Sequence, residues 1–168
     1  MADKFEILLK NQVVFRSIYE LIEPEDTLNV GSIFKLPCTK IYQSFDLLRD
    51  NDILSIVSLI TDLTKDEILE SDANKMIKFI KWLHRELNKC AQLIASIPRV
   101  PDPDLESSGV NELDQFGEFN IYYAITKDPT KWDTIGNLPF ELIFTKLKMD
   151  GVNAVIQHNY NEIIKRKK

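Results

Sequence analysis

Two histidines, His84 and His158, and two cysteines, Cys38 and Cys90, are the residues of this chain best suited to nucleophilic or proton-transfer chemistry. A serine or cysteine nucleophile needs a base held beside it, itself oriented by a third group. Neither histidine sits in a motif that would supply one, and no G-x-S-x-G elbow is present. Cys90 falls on the apolar side of a helical pattern and reads as core, while Cys38 follows Pro37 without a C-x-x-C partner. These spacings point away from a thiol or serine enzyme.

Phosphate-cradling loops need clustered glycines so that backbone amides can approach the anion. The five glycines, Gly31, Gly109, Gly117, Gly136 and Gly151, are scattered, so neither ATP nor NAD is expected as a cofactor. Asp102, Asp104 and Glu106 begin like a calcium loop, but the sixth position is Ser107 rather than glycine and the twelfth is Leu113 rather than glutamate. His158 and Glu162 lie one helical turn apart and could face a metal, yet no motif supplies the further ligands. Carboxylates are plentiful, and no spacing singles out an acid–base pair. The expectation is no catalytic residue, no metal, no cofactor and no enzymatic activity.

The bulk properties bound what the rest can be. With 168 residues and 44% hydrophobic content the chain can bury a substantial core. Two cysteines cannot form a dense disulfide framework, and the segment MADKFEIL has no apolar run of signal-peptide length. Apolar stretches fall well short of the ~20 residues that cross a bilayer. A soluble cytoplasmic protein is therefore expected, with no membrane partner. A net charge of −5 disfavours non-specific nucleic-acid binding over the whole surface, because such binding needs many Lys and Arg to neutralise phosphates.

The elements that would position any site are helical. Residues 3–22 mix helix formers with β-branched residues and predict a helix, with a strand as the alternative. Pro24, Asp26, Asn29 and Gly31 mark loop over 23–36. Helical spacing resumes at Thr39 with Ile41, Phe45 and Leu48, stopping at Asp50-Asn51. Asp52 then caps a helix whose stripe is Ile53, Ile56, Val57, Ile60 and Leu63. Thr64-Lys65-Asp66-Glu67 has the form of a capping box before a short helix.

A long helix over 72–96 is the dominant feature, ended by Pro98. Met76, Ile80, Leu83, Leu87, Cys90 and Ile94 form a heptad seam on it. Lys78, Lys81, Arg85 and Lys89 fall opposite that seam, with Trp82 at their edge, and read either as a basic strip for an acidic partner or as a solvated back face. Residues 97–109 hold three prolines and three carboxylates and predict an irregular hinge. They divide a helical core of 1–96 from a C-terminal module of 110–168. In that module, short helices are expected over 110–116 and 119–125, after Asp128-Pro129 with Trp132, and after Asn137-Leu138-Pro139 with Phe140, Ile143, Phe144 and Leu147 on one face. Gly151 should break or bend the chain before a terminal helix carrying Val152, Val155, Ile156 and Ile163. Its basic end, Lys165 to Lys168, suits the negative pole of a helix dipole or an electrostatic docking tail. The fold class expected is all-α, a multi-helix bundle around one long central helix with a C-terminal module of short helices.

Three stretches, FIKWLHRELNKC, GVNELDQFGEFNIYYAI and DPTKWDTIGNLPFELIFTKL, give the segment from Lys75 to Lys168 an order and spacing that resembles small helical virion-assembly proteins of tailed bacteriophages and prophages, notably the tail-assembly chaperone class. The resemblance implies a non-enzymatic assembly factor or minor virion part that works through helical surfaces and protein partners. It transfers no functional residue and leaves 1–70 outside its reach. Partner contact is expected at Lys78, Lys81, Trp82, Arg85, Lys89, Trp132, Phe140 and Phe144, because interfaces draw on buried aromatics and on Arg. The rival reading is a small regulator touching nucleic acid through the basic face of the long helix and the basic tail.

Overall fold

The computed structural model describes residues 4–102, 104 and 107–167, and every regular element among them is helical. They group into two compact units, one of Met1–Ile33 with Gln43–Cys90 and one of Phe34–Tyr42 with Ala91–Lys168. The unit boundaries pass through two helices, α3 (Cys38–Arg49) and α6 (Ala73–Ala95). The division expected from sequence ran instead through 97–109.

In the first unit the N-terminal segment is helical rather than extended, but it is two helices, α1 (Phe5–Leu9) and α2 (Gln12–Leu21). Asn11 separates them because its side chain accepts the Val14 amide at 3.2 Å, a capping bond that starts a new helix. Buried Phe5 donates its amide to Ser71 O at 3.0 Å, tying α1 to the end of α5 (Lys65–Glu70). The two sequence-encoded caps are both formed. Asp52 accepts the Ser55 amide at 3.1 Å ahead of α4 (Ile53–Thr61), and Thr64 and Glu67 close a reciprocal capping box ahead of α5.

The long helix α6 runs without interruption, opened by the Asp72 side chain accepting the Lys75 amide at 2.9 Å. Its seam residues Met76, Ile80, Leu83, Leu87 and Cys90 are buried within one copy of the chain, and Ile94 is half-buried. The buried surface is wider than the heptad, since Ile77, Phe79 and Trp82 are also covered.

In the second unit, residues 34–42 are joined to the start of α9 (Phe140–Arg166) by an antiparallel bridge between Pro37 and Pro139. Cys38 donates its amide to Leu138 O at 2.8 Å and Phe140 to Leu36 O at 3.0 Å. Around this tie lies a core of Cys38, Tyr122, Ile135 and Ile143, flanked by Tyr42, Ile121, Ile125, Trp132 and Leu147. The contributing helices are α7 (Glu118–Ile125), α8 (Trp132–Gly136) and the first turns of α9.

Several local expectations are corrected here. Asp104 and Ser107 are helical, and Ser108 donates its amide to Asp104 O at 3.0 Å, so part of the 97–109 stretch is regular. A proline forbids helix before it and permits one after it. Pro103, Leu105 and Glu106 of the expected hinge lie outside the described residues. The 110–116 segment is a 3-10 helix, with the Gln115 side chain bonding Glu112 O at 2.7 Å. Pro139 is the cap residue of α9, which starts at Phe140, and Asn137 closes α8 by donating to Asp133 O at 2.8 Å.

The largest correction concerns Gly151, which lies inside one continuous helix of 27 residues. A Cβ on it would sit 2.4 Å from Pro98 O and 3.1 Å from an Ile97 side-chain carbon, so the glycine serves close backbone approach, not chain breaking. Gly151→Ala therefore opposes a helix-propensity gain of about 1 kcal/mol with a clash against a backbone carbonyl that cannot swing aside. We expect a net loss of about 1–2 kcal/mol, measured by urea unfolding followed through Trp132 emission. A stabilised variant would mean that the Pro98 segment yields.

Candidate functional site

The residues expected to form a basic strip are occupied by bonds within the chain. Lys78 Nζ pairs with Glu25 Oε2 at 2.7 Å. Lys81 Nζ donates to Glu20 O at 2.9 Å and Ile22 O at 2.8 Å, the carbonyls that the end of α2 leaves without helical donors. It also lies 5.7 Å from the centre of the Tyr19 ring, in cation–π range. Arg85 and Lys89 both reach Glu86 Oε1, at 3.1 and 2.7 Å, and Glu86 is a buried carboxylate only 9% exposed. A carboxylate removed from water needs such partners.

Trp82 is a correction to the expected contact set. It is buried and stacks on Phe79 with ring centres 5.4 Å apart, so it presents no face to a partner. Phe140 is likewise fully buried, packed on Phe34, Tyr42 and Phe144. Trp82 reads as an edge residue because its helical neighbours are of mixed polarity, while tertiary packing takes it inside; Phe140 lies on the face it shares with Ile143, and that face is the buried one. Phe144 is half-buried with Lys148 Nζ 5.6 Å from its ring centre.

His84 and Tyr19 form the polar link missed in the sequence, with Tyr19 Oη and His84 Nδ1 at 2.6 Å. Burial lowers the His84 pKa and raises that of Tyr19, which favours the neutral form of both groups. Cys38 and Cys90 are buried free thiols pushed up to about 12 by burial, which leaves them protonated and unreactive. His158 and Glu162 lie toward the exposed end of α9, and among the described residues no cluster of three or more His, Cys, Asp or Glu is placed to hold a metal. No helix among them is long and apolar enough to cross a membrane.

The site that does stand out is an aromatic groove in the second unit. Gly117, at φ +53°, makes the turn between the 3-10 segment ending at Phe116 and α7, a backbone conformation that favours glycine. Along α7, Tyr122 and Ile125 face the core while Phe119 and Tyr123, four residues apart, share the other side. Asp128 accepts the Thr130 amide at 3.1 Å and opens the 3-10 turn Pro129–Lys131 that delivers Trp132. The indole is then fixed by donating Nε1–H to Thr126 O at 3.2 Å and by packing on Phe119 with ring centres 5.6 Å apart.

Behind it, Tyr122 and Thr39 both donate to Glu118 Oε2, at 3.0 and 2.9 Å, which anchors the first turn of α7. Burial raises the Tyr122 pKa, keeping its hydroxyl a donor. The resulting concavity of about 580 Å³ is lined by Leu113, Phe116, Phe119, Asn120, Tyr123 and Trp132. Leu113, Phe116, Phe119 and Tyr123 are 38–55% exposed, so a contiguous aromatic surface faces water. Lys127 Nζ lies 5.5 Å from the Tyr123 ring centre and sets a positive charge at the edge.

Of the residues expected at a partner contact, Trp132 alone lines this groove. Phe116, Phe119 and Tyr123 were missed, and the available signal was the unbalanced apolar content of FGEFNIYYAI, which exceeds what one buried face can hold. No known protein family, curated protein or solved structure matches the chain.

Proposed function

We propose that the chain is a non-enzymatic interaction or assembly factor, of the bacteriophage virion-assembly kind that its sequence resembles, acting in the host cytoplasm or in the virion. The single observation behind this reading is the aromatic groove of Leu113, Phe116, Phe119, Tyr123 and Trp132. Exposed contiguous apolar surface is costly in water and marks a contact site on proteins that keep it. Its occupant is a short apolar segment of another protein, bearing a carboxylate that can meet Lys127. Tyr and Trp supply rigid contact area with little rotamer entropy to lose, which is why such residues dominate interface energetics.

The nucleic-acid alternative is weaker for a stated reason. Lys78, Lys81, Arg85 and Lys89 are committed to Glu25, the α2 carbonyls and Glu86, so phosphate contact would have to break those bonds first.

Titration of the purified chain with each virion protein encoded beside it tests the proposal. Trp132 emission should change with one of them, and Phe119→Asp should weaken that binding at least about tenfold, as loss of a central aromatic does. Binding that survives Phe119→Asp, or a mobility shift of DNA that weakens steeply with salt, would replace this reading with another.

A further inference from the structure

A second apolar surface runs along the back of α9. At 100° per residue, Phe140, Ile143, Leu147 and Gly151 lie on one side of the helix and meet the second unit's own residues. Leu142, Met149, Val152, Ile156, Asn159 and Ile163 lie on the opposite side, at heptad spacing of 7, 3, 4, 3 and 4. The five apolar members are 42–60% exposed. Beyond Gly151, α9 has no buried residue at all. A bare helix of about 12–15 residues is marginal in water, so this half of α9 lacks the packing that normally holds a helix.

We propose that α9 pairs with α9 of a second copy of this chain as a parallel, in-register two-helix coiled coil. Leu142, Met149, Ile156 and Ile163 occupy the a positions, and Val152 and Asn159 occupy d positions. Thr145 takes the first d position, its hydroxyl satisfied by Glu141 O at 2.7 Å. Charge selects the occupant. In the parallel register each g residue faces the e residue five positions on in the other copy. Glu141 then meets the second copy's Lys146, which also holds Asp150 of its own helix, and Glu162, which also holds Lys165, meets the second copy's Lys167. Lys148 meets Asn153, and Val155 meets Tyr160, so no g–e pair opposes like charges; the last d position, Arg166, is the final residue of α9, where the side chain can turn to solvent. Each pair occurs twice.

The lone seam amide fixes direction. In register, Asn159 faces the same amide of the second copy, and the two satisfy each other. An antiparallel copy centred on residue 154 would set Asn159 against Met149 and strand a polar group in the seam. The stripe is diametrically opposite the face that α9 packs inward, so pairing leaves the unit's core and its aromatic groove untouched.

The experiment is sedimentation equilibrium of the full chain beside Ile156→Asp and Asn159→Cys. The parent should be a dimer. Ile156→Asp should raise the dissociation constant by about a hundredfold or more, since it sets two carboxylates against each other in the seam, with circular dichroism and Trp132 emission reporting an intact unit. Asn159→Cys should form an intermolecular disulfide under mild oxidation, a reaction in which the buried Cys38 and Cys90 do not compete. A monomeric parent, or an Ile156→Asp dimer as tight as the parent, overturns the pairing. A dimer that Ile156→Asp dissociates but that never cross-links through residue 159 overturns the parallel register.

Discussion

Replacing Leu83 by alanine is expected to lower the stability of the first unit by about 2–5 kcal/mol, the range for deleting a buried leucine side chain, and to leave the oligomeric state as it was. Leu83 sits mid-seam on α6 and is 2% exposed in one copy of the chain, between Ile80 and Leu87, which are buried as well. A heptad seam is ambiguous in sequence because the same spacing serves an intramolecular neighbour and a second subunit. Burial within one copy favours the first. Urea unfolding followed by emission of Trp82, buried on the same helix, reads the stability, and sedimentation of the same variant reads the mass. A loss below about 1 kcal/mol, or a change of mass, would place the seam at a subunit contact after all.

What was legible in the sequence was local. The Thr64–Glu67 box, the Asp52 cap and the stop at Pro98 are each decided by a few neighbouring residues, and each forms where local chemistry puts it. Periodicity also located the buried side of α6. Gly151 shows where such reasoning ends. Its helix propensity is poor, but the Pro98 carbonyl, distant in sequence, is what requires the absence of a side chain. Lys78, Lys81, Arg85 and Lys89 show the same limit for charge. Their shared face was readable at 100° per residue, whereas the α2 carbonyls and buried Glu86 that occupy them came only with the fold.

That both apolar surfaces are exposed escaped the sequence for one reason. An amphipathic pattern assigns its apolar stripe to the interior, and it cannot tell when a helix carries two stripes. On α7 the inward stripe of Tyr122 and Ile125 masks the outward pair Phe119 and Tyr123. On α9 the inward Ile143 and Leu147 mask the outward Met149, Val152 and Ile156. A helix apolar on two sides is more hydrophobic than its own unit can use, and that surplus is the readable mark of a surface awaiting a partner.

Phe140→Ala should be the most damaging substitution in the second unit, with an expected loss of about 3–5 kcal/mol. The side chain is fully buried, with ring centres 6.1 Å from Phe34, 6.4 Å from Tyr42 and 6.3 Å from Phe144. Alanine removes three aromatic contacts at once and leaves a void walled by two stretches of chain, 34–42 and α9, that are tied together by backbone bonds, which limits collapse around it. The position also matters for α9 as a whole. Pro139 makes no side-chain cap to the helix, so the start of α9 is held by the Phe140 ring and by the bonds from Phe140 to Leu36 O and from Cys38 to Leu138 O. Phe140→Leu keeps most of the apolar volume and should lose distinctly less, separating loss of packing from damage to the backbone bridge. Denaturant unfolding read through Trp132 is the measurement, since that indole packs against the second unit's core, which Tyr42 beside Phe140 also flanks. Equal losses for the two variants would show that the bridge between 36–38 and 138–140, not the ring, holds the start of α9 in place.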